Sequence, residues 1–267
     1  MNPPASSQSL FGRLRFVLVE TSRAGNIGSA ARAMKTMGFS ELVLVSPRDP
    51  LALQDPEAIA LASGATDVLA GARIVDSLDE ALAGCHYSVA LSARLREFSP
   101  PQFEPRELAQ KLAAESGLRA ALVFGNERFG LSNEQVEKCS ALVTVPANPD
   151  YSSLNLSQAV QVLAYECRMA EISGTEGGHD GANESRRPSA IGFRGEPAAA
   201  DQIEGMFQHL EQALVAIDFL DPQNPKKLMP RLRRLFARTA LEVEEVNILR
   251  GIATQLIERR KRRDRSS

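Results

Sequence analysis

Tryptophan is absent from this chain, and aromatic residues make up only 5% of its 267 residues. Broad aromatic platforms for stacking nucleic-acid bases are therefore not expected. No apolar run approaches the ~20 residues that a membrane-spanning helix needs. Residues 1–8 are polar and rich in Pro and Ser, so they lack the apolar centre of a signal peptide. We expect a cytoplasmic protein that does not interact with membranes.

Cysteine and histidine are scarce, with three of each. Cys85, Cys139 and Cys167 form no C-x-x-C pair, and an odd number at wide spacing argues against both a disulfide framework and a zinc site. The histidines are scattered along the chain. We predict no metal site, and small buried thiols in a reducing compartment.

No charge of one sign dominates, since 31 Lys and Arg face 33 Asp and Glu, a formal net charge of −2. The whole-chain charge therefore does not indicate a nucleic-acid partner, and local clusters decide that question. Hydrophobic residues make up 43% of the chain, which allows a sizeable core in one large domain or two smaller ones.

Strand and helix patterns alternate over residues 13–170. Such alternation predicts an α/β domain with a parallel sheet covered on both faces, preceded by a flexible N-terminus over residues 1–12. The predicted strands cover residues 16–19, 42–45, 74–75, 87–91, 120–124 and 141–145. The predicted helices cover residues 27–37, 56–62, 77–83, 106–116, 132–138 and 157–169.

Composition changes after Ala170. Residues 171–200 show no periodicity and predict a flexible linker. Residues 201–267 carry three apolar helical stripes and predict a small all-α extension. The middle stripe is basic, and a second basic run covers residues 259–265, so contact with phosphates is favoured over a merely solvated face. The basic residues of the middle stripe are Lys226, Lys227, Arg231, Arg233, Arg234 and Arg238.

A first loop, residues 20–32, joins a predicted strand to a predicted helix. Gly25 and Gly28 permit tight turning, and free N–H groups at a helix start favour an anion. The loop lacks the G-x-G-x-x-G spacing of a nicotinamide-cofactor site. Arg32 is suited either to a carboxylate partner or to a phosphate.

Two further loops carry polar residues after predicted strands, where α/β proteins bind ligands. In the loop over residues 124–133, Gly125 allows close approach of a ligand, although an ordinary turn with a Glu127–Arg128 ion pair also fits. In the loop over residues 146–157, Ser153 and Asn155 precede a helix, so they can cap it, bind a ligand, or do both.

Three motifs occur in order: N-I-G-x-x-A-R from Asn26, F-G-N-E-x-x-G-L from Phe124, and V-P-x-N-P-x-Y-x-S-L-N-L from Val145. Together they resemble the motifs of the SpoU (TrmH-like) class of SPOUT methyltransferases. The similarity covers residues 13–170 and, through R-L-R-R-L-F-A-R and E-x-N-I-L-R-G-I, residues 201–257. Within the class, the chain looks most like bacterial tRNA ribose 2′-O-methyltransferases.

The resemblance implies a Rossmann-like sheet whose C-terminal part forms a trefoil knot, a homodimer, and S-adenosylmethionine as cofactor. Carried over by motif, the catalytic residues are Arg32, Asn26, Glu127, Ser153 and Asn155. The implied cofactor-binding residues are Leu91, Ser92, Ala93, Gly125, Asn126, Glu127, Val145, Ser153 and Leu154. The implied RNA-binding residues are Arg23 and the six basic residues of the middle helix. Leu91 replaces a small hydroxyl residue and Asn126 an arginine of the compared tRNA enzymes.

The implied activity is methylation of a ribose 2′-hydroxyl in the tRNA anticodon loop, at nucleotide 32, where the base is C or U. The class assigns Arg32 as the base; a guanidinium rarely loses its proton, so Arg32 is either an unusual base or a cation that positions phosphate. Glu127 is then expected to orient Arg32 by a hydrogen bond. Action on another RNA, or an RNA-binding module without turnover, are the alternatives.

Overall fold

The structure is a computed structural model that describes residues 9–92, 100–176, 195–239 and 241–264. Its centre is a seven-stranded sheet with the order β3-β2-β1-β6-β4-β7-β5, in which all neighbours are parallel. The strands are β1 (Leu14–Val19), β2 (Leu42–Val45), β3 (Arg73–Val75), β4 (Tyr87–Leu91), β5 (Gln102–Phe103), β6 (Ala120–Phe124) and β7 (Ala141–Val143).

Helices connect the strands and cover both faces of the sheet. Those of the α/β part are α1 (Leu10–Arg13), α2 (Ala24–Thr36), α3 (Pro56–Ala62), α4 (Thr66–Gly71), α5 (Leu78–Leu82), α6 (Pro105–Ala114), α7 (Asn133–Glu137) and α8 (Leu156–Glu176). Those of the C-terminal extension are α9 (Ala200–Ala216), α10 (Leu228–Phe236) and α11 (Val243–Asp264).

Alternate strand residues enter two separate cores. Phe16 and Leu18 of β1 pack on one face with residues of α2 and α8, whereas Val17 and Val19 pack on the other with residues of α5 and α7. All six residues of β1 are buried. This pattern confirms the predicted parallel sheet with both faces covered.

The element bounds follow the sequence closely where the local signals are strong. Strands β2 and β6 and helix α3 have the predicted bounds, and Gly38 ends α2 with a left-handed φ of 91°. Strand β7 ends at Val143, two residues before the predicted end. The short elements α1, α4 and β5 were not predicted, since a few residues give too little periodicity.

Gly28 lies inside α2, where it allows α3 to approach. A Cβ there would overlap the backbone carbonyl of Ala58, and one on Gly25 would meet Glu57 and Leu61. Both glycines lie inside α2 and serve helix packing, so the predicted tight turn at these positions is wrong, whereas anion binding at the start of α2 stays a prediction.

The predicted linker is only partly described. Helix α8 continues to Glu176 and α9 begins at Ala200, whereas residues 177–194 lie outside the described residues. Of the predicted flexible N-terminus over residues 1–12, residues 1–8 also lie outside them. The prediction is wrong for residues 9–12, because Ser9 caps helix α1 and Leu10 and Phe11 are buried. After Gly195, Pro197 forms a bridge with Glu242, and the Ala200 N–H donates to the Cys85 carbonyl at 2.7 Å.

The C-terminal extension is all-α, as predicted, with a core of its own around Met206, Phe207 and Val246. Arg233 of α10 forms two hydrogen bonds with the carboxylate of Glu204 on α9, at 2.7 and 2.9 Å. Its guanidinium also lies 4.5 Å from the ring centre of Phe207. Burial tends to raise the pKa of Glu204, but the hydrogen bonds and positive charges around it, chiefly from Arg233, outweigh burial and lower it.

The cysteines are buried and free, as predicted, and burial raises the pKa of Cys139 and Cys167 to about 12. Within the described ranges, no group of three His, Cys, Asp or Glu side chains could hold a metal ion. None of the helices in those ranges is both long and apolar enough to cross a membrane.

Candidate active site

The three polar loops predicted from the sequence meet at one edge of the sheet. They follow β1, β6 and β7, and the sheet places β6 beside β1 and places β4 between β6 and β7. Because these strands are parallel, their carboxyl ends share an edge, which is where open α/β sheets bind ligands. We call the loops after β1 (residues 20–23), β6 (125–131) and β7 (144–155) loops 1, 2 and 3.

Glu127 joins loop 2 to loop 1 and to the start of α2. Its Oε2 accepts hydrogen bonds from the N–H and the hydroxyl of Ser22, at 3.0 and 2.8 Å. Its Oε1 accepts one from Nδ2 of Asn26 at 2.8 Å. Partial burial tends to raise the pKa of Glu127, but hydrogen bonds, chiefly from Asn26 and Ser22, outweigh burial and lower it. The carboxylate is thus ionised at neutral pH and is a weak base.

Asn155 joins loop 3 to the same network. Its Nδ2 donates to Oδ1 of Asn26 at 3.3 Å, while its Oδ1 accepts from the N–H and hydroxyl of Ser157 at 2.9 and 2.8 Å. Its own N–H donates to Oε1 of Gln158 at 3.3 Å. Asn155 therefore caps α8, which is one of the two roles that the sequence left open, and it also contacts α2.

Arg32 is exposed on α2, six residues after Asn26, or about 9 Å along the helix axis. Glu127 forms no hydrogen bond with it, contrary to the sequence-based prediction, and accepts hydrogen bonds from Ser22 and Asn26 instead. Among the residues that the structure describes, the Arg32 guanidinium has no hydrogen-bond or ion-pair partner. Its positive charge is therefore available to an incoming anionic group.

Gly125 and Asn126 shape loop 2. The loop folds back so tightly that a Cβ on Gly125 would overlap the backbone of Gly130 and Leu131. The Asn126 amide donates to the carbonyl of Glu20 at 2.6 Å and accepts from the N–H of Arg128 at 2.9 Å. Asn126 thus ties loop 2 to loop 1 and caps its own turn.

The remaining predicted cofactor residues lie around the ends of β4 and β7. Ser92 donates its N–H to the Val143 carbonyl at 3.1 Å and accepts from Thr144 Oγ1 at 2.9 Å. Leu91 and Val145 are half-buried, whereas Ser153 and Leu154 are exposed on loop 3. Ala93 lies outside the described residues.

The predicted RNA-binding residues divide into two kinds. Arg23 precedes α2 and is exposed. Lys226, Lys227 and the arginines of α10 lie at or near the surface, except that Arg233 is held by Glu204, with only 19% of its side chain exposed. We therefore assign Arg233 to the packing of α10 on α9 and not to RNA contact.

Sequence reasoning did not single out two polar residues at this edge, Ser22 and Thr144. Ser22 stands in the first loop between Thr21 and Arg23, where nothing in the pattern separates it from a surface serine. Only its approach to Glu127, 105 positions along the chain, reveals its contact. Thr144 was assigned to strand β7, whereas its hydroxyl bonds the end of β4.

A cavity of about 410 Å³ lies elsewhere, between the α/β part and the C-terminal helices. Its walls include Tyr87 and Ser140, at the starts of β4 and β7, and Phe207 and Phe236 of the extension. It therefore opens at the amino ends of the strands, opposite the loops. The motif residues are not among its lining, so the candidate active site is the loop edge despite the size of this cavity.

The chain matches two protein families. Residues 13–165 match the SpoU rRNA Methylase family, and residues 201–266 match the C-terminal domain of the tRNA methyltransferase TrmJ. The tRNA (cytidine/uridine-2′-O-)-methyltransferase TrmJ of Klebsiella pneumoniae is 48% identical over 250 residues, which cover 93% of this chain and 98% of that protein.

Solved structures show the same likeness. The crystal structure of TrmJ from Z. mobilis ZM4 has a TM-score of 0.75 and 33% identity, and the match covers 91% of this chain and 98% of that one. A probable methylase family protein from Haemophilus influenzae Rd KW20 has a TM-score of 0.58 and 41% identity, over 96% of this chain and 99% of that one.

Proposed function

The chain belongs to the SpoU rRNA methylase family, and we propose that it transfers a methyl group from S-adenosylmethionine to a ribose 2′-hydroxyl of tRNA. The proposed target is nucleotide 32 of the anticodon loop, C or U. Support comes from relatives of 47–48% identity that are named tRNA (cytidine/uridine-2′-O-)-methyltransferases. The match to the TrmJ C-terminal domain favours tRNA over ribosomal RNA. Bacterial tRNA lies in the cytoplasm, so this location is part of the proposal.

One observation carries the proposal: Glu127, Asn26 and Asn155, one residue from each of three distant motifs, form a single hydrogen-bonded chain. Arg32 lies free on the same helix as Asn26. Two amide side chains and a cation without an ion-pair partner among the described residues lie near the carboxyl ends of the strands. They suit a reaction in which a hydroxyl group must be oriented and its oxygen becomes negatively charged.

The residues around the ends of β4, β6 and β7 fit S-adenosylmethionine. Leu91, Val145 and Leu154 offer apolar surface, and loop 2 passes close to the sheet because Gly125 has no side chain. When bound, this cofactor supplies a methyl group already activated by the positive charge on its sulfur. Leu91, Val145 and Leu154 would border the group, and its methyl would pass to the ribose oxygen as the hydroxyl proton leaves to a base or water.

The protein must align the hydroxyl and stabilise the charge that develops on its oxygen. Asn26 and Asn155 are placed to orient the ribose through amide hydrogens. Arg32 serves as the cation beside the developing alkoxide or the neighbouring phosphate, because a guanidinium keeps its proton at neutral pH. The 2′-hydroxyl is the nucleophile, so DNA cannot replace RNA as the substrate.

A homodimer and a trefoil knot are part of the proposal. Phe129 of loop 2 and Tyr151 of loop 3 are 71% and 79% exposed, which suits a subunit contact that would cover the loops. Strand β7 lies between β4 and β5, which are consecutive along the chain. This strand order is compatible with a knot at this edge.

The function is tested by mass spectrometry of nucleosides from unmodified tRNA incubated with the protein and S-adenosylmethionine. We expect one ribose-methylated nucleoside, mapped by fragment sequencing to nucleotide 32. If the protein methylated ribosomal RNA and not tRNA, ribosomal RNA would be the substrate. Cofactor and RNA binding without any product would identify a non-catalytic RNA-binding relative.

The basic residues around α10 are predicted to hold tRNA phosphates. Changing Lys226, Lys227, Arg231, Arg234 and Arg238 together to Gln should weaken tRNA binding. The slope of log affinity against log salt should become shallower by about 0.7–0.9 for each phosphate that the variant no longer neutralises. Filter binding over a range of salt concentrations measures both effects. Arg233 is left intact, since its replacement would break the pair with Glu204.

The matched control is Arg73→Gln with Arg106→Gln, two exposed cations of the α/β part. These changes should leave the salt slope unchanged. An unchanged slope in the α10 variant as well would show that the basic side chains are only a solvated face.

A further inference from the structure

Ser22 holds the end of the hydrogen-bonded chain that connects the three loops. It is half-buried in loop 1, and it gives Glu127 both its N–H and its hydroxyl hydrogen, at 3.0 and 2.8 Å. Both bonds go to the same oxygen, Oε2, and Oε1 is left for Asn26. The carboxylate of Glu127 is thus held in a single orientation, with Oε2 directed at Ser22 and Oε1 at Asn26.

The donor and acceptor directions of all the hydrogen bonds in this series follow from the bonds at Glu127. An ionised carboxylate only accepts hydrogen bonds, so Asn26 must turn its Nδ2 toward Glu127 and its Oδ1 away. Oδ1 of Asn26 can then only accept, so Asn155 must turn its Nδ2 toward it, as the 3.3 Å contact shows. The Asn155 Oδ1 is thereby directed to the N–H and hydroxyl of Ser157. Neither amide can flip without losing bonds at both ends.

Each amide nitrogen keeps a second hydrogen. One Nδ2 hydrogen of Asn26 bonds Glu127, and one Nδ2 hydrogen of Asn155 bonds Asn26. Within the described ranges, the other hydrogen of each amide has no partner. The fixed amides therefore present N–H donors of known direction at the loop edge, suited to the lone pairs of a ribose oxygen or a phosphate.

We propose that Ser22 is a positioning residue for methyl transfer, which fixes Glu127 and through it the donor directions of Asn26 and Asn155 at the ribose. This inference rests on the proposed function and deepens it. In this proposal Glu127 orients Asn26 and does not remove the hydroxyl proton. Ser22 of loop 1 in turn holds Glu127 in place. In this role Ser22 acts through Glu127 and not by direct contact with substrate or cofactor.

The test compares Ser22→Ala with Ser22→Thr in steady-state methylation of tRNA. The alanine variant keeps the N–H bond and loses the hydroxyl bond, so we expect kcat to fall about tenfold with the KM for S-adenosylmethionine unchanged. The threonine variant keeps the hydroxyl and should recover most of kcat. Ser40→Ala, an exposed serine between α2 and β2, is the matched control and should behave like the unchanged protein.

A double-mutant cycle shows whether Ser22 acts through Glu127. In a Glu127→Ala background, Ser22→Ala should cause no further loss of activity, because the shared partner is already gone. Additive losses in the cycle, or a Thr variant as slow as the Ala variant, would overturn the proposal. So would a Ser22→Ala variant with normal kcat, or one whose slower turnover is explained by a lower Tm and weaker cofactor binding by calorimetry.

These outcomes are separate from a failure of the proposed function. If the unchanged protein forms no methylated ribose on any RNA, the function is wrong. If the unchanged protein is active and Ser22→Ala is equally active, only the role of Ser22 is wrong.

Discussion

Arg32→Ala is expected to lower the rate of tRNA methylation by about a thousandfold while the affinity for S-adenosylmethionine stays within about twofold. Arg32 is exposed on α2, and the described residues offer its guanidinium no partner, so its removal should cost the fold little. The lower rate therefore reports on the reacting groups. Single-turnover transfer of labelled methyl groups measures the rate, and calorimetry measures cofactor binding.

Lys35→Ala is the matched control for Arg32→Ala. Lys35 lies on the same helix and pairs with Asp67 at 2.7 Å, away from the loop edge. Its replacement should leave methylation unchanged. Near-normal turnover of Arg32→Ala would show that its charge has no part in the reaction. Weakened RNA binding with an unchanged single-turnover rate at saturating RNA would limit Arg32 to holding the substrate.

Gly125→Ala is expected to lower activity by about a hundredfold or more and to weaken S-adenosylmethionine binding, with a fall in unfolding free energy of about 1–3 kcal/mol. A Cβ at this position would overlap the backbone of Gly130 and Leu131, and backbone cannot move aside as a flexible side chain does. Loop 2 would have to open and take Glu127 away from Ser22 and Asn26. Thermal unfolding, calorimetry and methylation assays on one preparation measure the three effects.

Gly71→Ala is the control for this substitution. Gly71 ends α4, and a Cβ there would meet nothing within 4 Å. Alanine should be neutral or slightly stabilising at such a site, because it restricts the unfolded chain more than glycine does. If Gly125→Ala kept normal cofactor affinity and activity, the tight return of loop 2 would not matter for the site.

The sheet could be predicted because its evidence is local. Runs such as Leu42–Val45 and Ala120–Phe124 are short, apolar and bounded by turn residues, and the structure keeps their bounds. Ser77 and Ser132 begin two of the predicted helices, and each accepts a hydrogen bond from the first turn of its helix. The two-residue strand β5 has no such signal and was missed.

The roles of individual side chains were less predictable, because each depends on a partner far along the chain. Gly28 looks like a loop glycine until Ala58 of α3 is placed against it. Arg233 looks like one of six equal cations until Glu204 approaches it from α9. Glu127 was expected to hold Arg32, and it holds Ser22 and Asn26. Spacing within one segment says nothing about which segment packs beside it.

The sequence by itself determined the family, the α/β order with its helical extension, and the three loops where chemistry is expected, because motifs and periodicity are properties of neighbouring residues. Only the tertiary structure decided how those loops are joined. Ser22 and Asn26 lie more than 100 positions before Glu127 and Asn155 in the chain, and the four residues meet because β1 and β6 are adjacent parallel strands and α8 begins beside α2. A hydrogen bond depends on the distance and direction between two groups in space, and chain position does not encode either quantity across a fold.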